Sequence, residues 1–201
     1  MRAPFRFAFF RLLGAPLLLA GFLAACATED LGNRFPPMNF QDSPDINLDV
    51  GEIKIEQAYQ APAQRPNVDH LFPVQPKNVA VQWAEDRLAA RGDRLTFLYI
   101  VREASAVETE LETTKGVKGL LKTEQAARYE THIVIEMQVL DGRYVQGTAK
   151  AEARRSTTVE EGISLAERER AWYRLTEETM KDLDRQLEET IRSAFFPYIV
   201  L

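Results

Sequence analysis

Thr131-His132-Ile133-Val134-Ile135-Glu136-Met137-Gln138-Val139-Leu140-Asp141-Gly142-Arg143-Tyr144-Val145-Gln146-Gly147-Thr148-Ala149-Lys150-Ala151-Glu152-Ala153 alternates side-chain character on both sides of an Asp-Gly pair. Period-two alternation marks half-buried strands, and Asp-Gly between two of them marks a tight turn. With its flanks, from Ala126 to Val159, the stretch predicts a β-hairpin. Thr131, Ile133, Ile135, Met137 and Val139 share one face of the first strand. Val145, Gly147, Ala149, Ala151 and Ala153 share one face of the second. A two-residue loop at Asp141-Gly142 would pair Met137 with Gln146 and split these sets between faces. A three-residue loop, Leu140-Asp141-Gly142, pairs Met137 with Val145 and Ile135 with Gly147. It keeps both sets together, because a one-residue slip inverts every side chain. The expected turn is type I, with Gly142 left-handed in a bulge.

A face built of Gly and Ala invites close approach by something bulky. The chain supplies it next. Ser164-Leu165-Ala166-Glu167 fits a capping box. Leu165, Trp172, Leu175, Thr176, Thr179, Leu183, Leu187 and Ile191 then recur at helical spacing as far as about Phe195. The opposite face is dense in charge, with Glu177–Lys181 and Glu188–Arg192 four residues apart.

Upstream, Ile53, Ile55, Gln57 and Tyr59 alternate with Glu52, Lys54, Glu56 and Ala58, a half-buried strand beginning near Gly51. Residues 61–76 hold four prolines and form a connector. Pro76 suits the first turn of a helix and Gly92 its stop, with Val79, Ala80, Trp83, Ala84 and Leu88 as its apolar stripe. Leu95 to Val107 is a strand covered partly on both sides. The order is β-α-β-β-β-α. Short links make antiparallel neighbours, so the expected fold is α+β, an antiparallel sheet of about four strands with both helices on one face.

The N-terminus carries a different message. Arg2, Arg6 and Arg11 precede an uncharged stretch from Leu12 to Ala25, interrupted by Gly14 and Pro16. That is too short and broken to span a bilayer but suits a secretory signal. It ends in Leu23-Ala24-Ala25-Cys26, and Cys26 is the single cysteine of the chain. Small residues stand before the cut point, and the cysteine stands at it. The pattern resembles the lipobox of bacterial lipoproteins. That resemblance implies cleavage before Cys26, a covalent diacylglycerol on its thiol and an acyl chain on its new N-terminus. Two or more chains anchor stably where one does not. Ala27, not Asp, follows, which by the same resemblance favours the outer membrane.

The expected organisation is a lipoprotein signal peptide over 1–25, an acylated Cys26 with a tether to residue 50, and a single α+β periplasmic domain over 51–201. Pro36, Pro37 and Pro44 with several Asn and Asp give the tether its character, and its expected reach is about 25–30 Å. Phe35, Met38 and Phe40 are apolar enough for part of it to dock. Removing residues 1–25 takes away three of 25 basic residues and no acidic one, leaving 22 against 30 and a net charge of −8. A uniformly basic nucleic-acid footprint is absent. With Cys26 acylated no thiol remains for a disulfide, so stability must come from an ordinary core.

This layout behind a lipobox resembles two related groups of small outer-membrane lipoproteins. They are the lipopolysaccharide-assembly lipoprotein LptE and the PqiC-type auxiliary lipoproteins of systems that move lipid between membranes. The likeness covers roughly residues 51–191. Glu161-Gly162-Ile163-Ser164-Leu165 and Glu167-Arg168-Glu169-Arg170-Ala171-Trp172-Tyr173 are similar to stretches of proteobacterial lipoproteins of unassigned role. The resemblance implies an envelope protein partner and a transport or assembly setting.

Catalytic chemistry is thinly supplied. His70 lies in the connector and His132 on a strand, opposite in facing to Ile133. No His-x-x-x-His, no Gly-x-Ser-x-Gly and no second cysteine is present, so a metal site or triad lacks its usual parts. Paired carboxylates such as Glu160-Glu161 and Glu177-Glu178 fall in solvated charge patterns. Arg91-Gly92-Asp93 matches an adhesion tripeptide, but its Gly is the expected helix stop.

Two stretches stand out as contact candidates. The first is Lys115-Gly116-Val117-Lys118-Gly119-Leu120-Leu121-Lys122, basic and apolar in an acidic chain. Lys115, Lys118 and Lys122 with Val117, Leu120 and Leu121 suit an anionic headgroup layer or an acidic partner, or simply cover the sheet end. The second is the tail Phe195-Phe196-Pro197-Tyr198-Ile199-Val200-Leu201, with Phe196, Tyr198 and Ile199 as contact residues. It should fold back, add a strand to a sheet edge, or bind a partner. The expected function is a non-catalytic adaptor or stabilising subunit of an envelope transport or assembly complex. It would be anchored on the periplasmic side of the outer membrane, with no dissociable cofactor, metal or nucleic acid. The alternatives are a lipid carrier with a cavity between sheet and helices, lined by Phe97, Tyr99, Ile135 and Trp172, and an enzyme with His132 and two carboxylates in a cleft.

Overall fold

Alternation on both sides of Asp141-Gly142 becomes two strands of equal length in a four-stranded sheet. The computed structural model describes residues 35–112 and 125–200. In chain order the elements are β1 (Ile46–Leu48), β2 (Glu52–Gln57), helix α1 (Pro76–Arg87), β3 (Leu88–Ala90), β4 (Thr96–Glu110), β5 (Gln125–Asp141), β6 (Tyr144–Glu160) and helix α2 (Leu165–Ala194). The main sheet is ordered β2-β4-β5-β6, and β1 with β3 forms a small second sheet. This is the expected α+β architecture. Both helices join one core with the same sheet face: Trp83 of α1 and Leu183 and Leu187 of α2 meet Phe97, Tyr99, Ile133 and Ile135.

Strand direction differs from the expectation at one edge. β4, β5 and β6 are antiparallel, but β2 runs parallel to β4, and β1 parallel to β3. The link from β2 to β4 contains α1, which carries the chain back before the next strand begins. A crossover of that kind sets parallel neighbours, and the short-link rule does not apply to it. The sheet is therefore mixed.

The hairpin register also differs, in an instructive way. Asp141 faces Tyr144 and Leu140 faces Val145, a two-residue turn at Gly142-Arg143. Gly142 has φ +60, the left-handed conformation expected of it. On its own, such a turn would place the two apolar sets on opposite faces. A bulge corrects it: Val139 faces Gly147, leaving Gln146 as the extra residue, and Met137 then faces Ala149 and Ile135 faces Ala151. The expected pairs, Met137 with Val145 and Ile135 with Gly147, are thus displaced by an even number of residues, and facing is preserved. A second bulge, at Arg102, leaves Ala104 and Ala106 continuing the buried face of β4.

α1 stops at Arg87, earlier than Gly92, because Leu88 turns extended and begins β3 opposite Ile46. Gly92 serves a different need. A Cβ there would lie 2.4 Å from the Asp49 carboxylate and 2.8 Å from backbone, so two chain segments cross where only glycine fits. The span expected as tether also differs, for Ile46, Leu48 and Val50 are buried in the main core. Each such side chain contributes about 1.5–3 kcal/mol of burial. That is why alternation too short to read as a strand still folds as one.

α2 begins at the expected capping box. Ser164 Oγ accepts from the Glu167 N–H at 3.2 Å, and the Ser164 N–H donates to the Glu167 carboxylate at 2.9 Å. The small residues Ala151 and Ala153 of β6 let α2 approach closely, and Leu183, Leu187 and Ile191 share their core. A second apolar cluster binds the Pro-rich connector to the far end of the sheet. Phe72 stacks on Trp172 at 5.0 Å, and Tyr129 meets the same indole edge-on at 5.4 Å.

Candidate functional site: the chain ends and the open sheet face

The N-terminal segment is held on the helices by aromatic and polar contacts. Phe35 stacks on Tyr173 of α2, ring centroids 5.4 Å apart, and Tyr173 Oη donates to the Pro36 carbonyl at 3.2 Å. Farther on, the Phe40 N–H donates to Asp86 of α1 at 2.9 Å, and Gln41 donates to the same carboxylate at 3.2 Å. Gln82, one turn earlier in α1, donates to Asp86 at 2.8 Å and holds it in place. Between this segment and α2 lies an open groove of about 330 Å³, lined among others by Met38, Phe40, Tyr173, Met180 and Lys181.

The C-terminal tail folds back. Phe195 is fully buried, edge-on to Phe97 at 5.3 Å and above Gly147. Phe196 to Tyr198 form one 3-10 turn, after which the tail pairs with β1. The Asp49 N–H donates to the Tyr198 carbonyl at 2.8 Å, and the Val200 N–H to the Asn47 carbonyl at 2.9 Å. Tyr198 and Ile199 are half-buried by this pairing, whereas Phe196 points outward, 65% exposed. The tail thus adds to the edge of β1. Leu23, Ala24, Ala25 and Cys26 lie outside the described residues, as do Lys115, Val117, Lys118, Leu120, Leu121 and Lys122.

Away from the helices, the outer face of the sheet carries an ion-pair lattice. His132 Nδ1 lies 3.1 Å from Glu103 and Nε2 lies 4.0 Å from Glu152, with the Arg154 guanidinium 3.3 Å from Nδ1. Arg154 also reaches Glu130 at 3.1 Å, and Arg102 reaches Glu136 at 2.8 Å. The Arg102 bond holds the Glu136 carboxyl below the usual range. Two carboxylates do stand beside His132, as an enzyme reading requires, but on a sheet face instead of in a cleft. Ser105, opposite His132 in the register, donates its hydroxyl to Glu103 at 2.8 Å, unlike a nucleophile bonded to its imidazole base. His70 is exposed at the Asp69–Leu71 turn. Among the described residues, no group of three or more His, Cys, Asp or Glu is placed to hold a metal ion. No helix among them is long and apolar enough to cross a membrane.

One cluster was not anticipated. Arg87, 1% exposed, lies between the helices, paired with Glu188 and 3.7 Å from Asp184. Trp83 Nε1 donates to Asp184 at 2.6 Å, and the Arg87 guanidinium sits 5.9 Å from the Trp83 ring. The signal is a pair of i,i+4 spacings, Trp83/Arg87 and Asp184/Glu188. It becomes legible only when the two helices are known to be neighbours.

Searches find no matching protein-family model and no matching sequence among curated proteins. Among solved structures, the chain is similar to the rare lipoprotein B from Shewanella oneidensis. Identity is 17% and the TM-score 0.36, over 69% of this chain and 92% of that one. It is also similar to a minor lipoprotein from Acinetobacter baumannii, at 15% identity and a TM-score of 0.38, over 77% of this chain and 98% of that one.

Proposed function

We propose that this chain is a bacterial envelope lipoprotein, anchored through an acylated Cys26 on the periplasmic side of the outer membrane. Its domain acts as a non-catalytic adaptor or stabilising subunit of an envelope transport or assembly complex. The observation that carries the anchor is Leu23-Ala24-Ala25-Cys26, the single cysteine placed where an apolar leader ends. The acyl chains on Cys26 are its membrane partner, and an envelope protein is its second.

The filled interior supports an adaptor over a carrier. Phe97, Tyr99 and Ile135, which would line a lipid cavity, are all fully buried against Trp83, Leu183 and Leu187. Trp172 belongs to the other cluster, packed on Phe72 and Tyr129. The contacts proposed are residues 115–122, Phe196 and the open sheet face.

The test is a pull-down of the tagged protein from membranes solubilised in mild detergent, with Cys26→Ala as control. Recovery of a stoichiometric transport or assembly subunit, weakened when residues 115–122 are replaced by Gly and Ser, supports the adaptor reading. Recovery of the protein alone with co-purifying lipid overturns it in favour of the carrier.

A further inference from the structure

We infer that copies of this chain join edge to edge, the outer strand β6 of one pairing in parallel with the outer strand β2 of the next, so that sheet and helix layer both continue from copy to copy. The joint would form with or without an acylated Cys26. Two features carry it: the strand edges that the fold leaves open, and the charges on them.

The main sheet ends in β2 on one side and β6 on the other. Elsewhere the fold covers its strand edges. Past the end of β2, the connector caps β4: the Val68 N–H donates to the Ala106 carbonyl and the Glu108 N–H to the Pro66 carbonyl, both at 2.8 Å. The tail caps β1. Among the described residues, no backbone hydrogen bond joins β2 to anything but β4, or β6 to anything but β5. β6 contains no proline, and from Gly147 to Val159 its register against β5 is unbroken. A long edge that is neither bulged nor blocked by proline is a template for another strand.

Charge chooses the strand. On the sheet face away from the helices, β6 presents Lys150, Glu152 and Arg154, and β2 presents Glu52, Lys54 and Glu56, all exposed. With the two strands running the same way and Lys150 beside Glu52, Glu152 meets Lys54 and Arg154 meets Glu56. Opposite charges side by side on neighbouring strands favour such a pair. In the single chain Lys150 and Glu152 pair along their own strand at 2.8 Å, Lys54 and Glu52 likewise at 3.0 Å, and Arg154 pairs with Glu130 at 3.1 Å. Exposed pairs of this kind are worth little, and each ion can take a second partner across the joint. On the helix side the same register lays the half-buried Ile53 and Ile55 beside the small Ala151 and Ala153. Within one chain Glu56 lies level with Lys150, so this register slides the next copy along the strands by four residues, about 13 Å.

The helix layer fits the same sideways step. Four strands about 4.8 Å apart span about 19 Å, and two helices packed at about 8–10 Å span the same. α1 lies over β4, with Trp83 stacked on Tyr99 at 5.9 Å and Tyr99 Oη donating to the Ala80 carbonyl at 3.0 Å. α2 lies over β6, with Leu183 and Leu187 in one core with Ala151 and Ala153, and Asp182 bonded to Arg155. The next copy's α1 therefore comes to rest beside α2 at an ordinary packing distance. Pairing β6 with a second β6 would instead set two α2 helices over adjacent strands, closer than helices pack. It would also leave Arg154 opposite Thr148 when Lys150 faces Glu152.

Because one joint uses two different strands, charge reversal can be split between two variants. Lys150→Glu with Arg154→Glu makes the β6 row acidic, and Glu52→Lys with Glu56→Lys makes the β2 row basic. The full chain in mild detergent is followed by sedimentation at rising concentration. The wild type should reach at least about twice the monomer mass and continue past it, since a head-to-tail joint leaves a free edge at each end. Each variant alone should stay monomeric. An equimolar mixture should regain the wild-type mass, because each kind of edge then meets its opposite. The variants alter different strands, so if one fails to fold the other alone decides. A monomeric wild type overturns the joint. So does undiminished association in both variants, which would be clustering through an anchor. Undiminished association in the β2 variant alone would mean that β6 pairs with itself, and a mixture of folded variants that stays monomeric would mean that these charges do not set the contact; either overturns it too.

Discussion

Thr131 on β5 gives its hydroxyl proton to Thr179 on α2, because Thr179 spends its own on the Leu175 carbonyl at 2.7 Å. Both side chains are fully buried. The bond has a direction, and so do the consequences of breaking it. Thr179→Val strands the Thr131 donor in an apolar interface and should cost about 1–3 kcal/mol. Thr131→Val leaves Thr179 still donating to Leu175, so its cost should stay under about 1 kcal/mol. Thr131→Val combined with Thr179→Val should recover most of the larger loss. Urea unfolding of the four proteins measures the cycle, and equal single losses would reverse the assignment of donor and acceptor.

A second prediction concerns the clamp between the helices. Arg87 is buried with Glu188 as its partner, while Glu188 keeps 34% of its side chain in solvent. Breaking a fully buried pair costs about 3–5 kcal/mol because one charge is left without compensation. Partial exposure of Glu188 and the remaining Asp184 soften this, so Glu188→Ala should lose about 2–3 kcal/mol. Arg87→Met with Glu188→Leu should lose less than Glu188→Ala alone, since no buried charge remains. The midpoint of chemical unfolding reports both.

The hairpin tip yields a third. Gly142 holds φ +60 with nothing within 4 Å of where a Cβ would stand, so the cost of substitution is conformational and not steric crowding. Gly142→Val should cost about 1–2 kcal/mol and Gly142→Asn clearly less. Deleting Gln146 should be milder than its place in a strand suggests. It removes the bulge, but Val139 stays opposite Gly147 and Met137 opposite Ala149, so Ala149, Ala151 and Ala153 still face α2. The deletion should keep cooperative thermal unfolding, which calorimetry would show directly.

These elements also mark how far the sequence could be read. The faces of β5 and β6, the capping box at Ser164 and the apolar side of α2 all follow from periods that a single chain displays. Turn position does not. Facing constrains only the parity of the register, and a three-residue loop has the same parity as a two-residue turn plus a bulge at Gln146. β1 and β3, three residues each, are too short to show alternation, and each is stabilised by a partner distant in sequence. The same holds for Asp86 reaching back to Phe40 and for Arg87 reaching Glu188. Tail docking lay among the sequence-level alternatives, and the small residue at Gly147 that receives Phe195 was visible as part of a small face. What was not visible is that the tail pairs with β1, a strand about 150 residues away.

Asp69 offers the last test, through pH. It lies in the 3-10 turn Asp69–Leu71, 5% exposed, with Oδ1 buried and without a hydrogen-bond partner. Burial raises its pKa above the ordinary carboxylate value, against smaller opposing effects from its own backbone N–H, His70 and Lys77. The nearby Tyr59 phenol is pushed up to about 12 by burial, with the Asp69 charge adding to it, so it stays neutral throughout. In the unfolded chain Asp69 ionises at about 3.9. Below that value both states hold the proton and the residue costs nothing. As pH rises past it the unfolded chain releases its proton first, so native stability falls until pH exceeds the folded pKa. Asp69→Asn removes the titration while keeping an amide oxygen for the same backbone N–H. The variant should match wild type near pH 3 and exceed it at pH 7, the gap opening above about pH 4. Urea midpoints at the two pH values decide it, and a wild type more stable at pH 7 would mean that the Asp69 carboxylate is held by a favourable contact instead of being strained by burial.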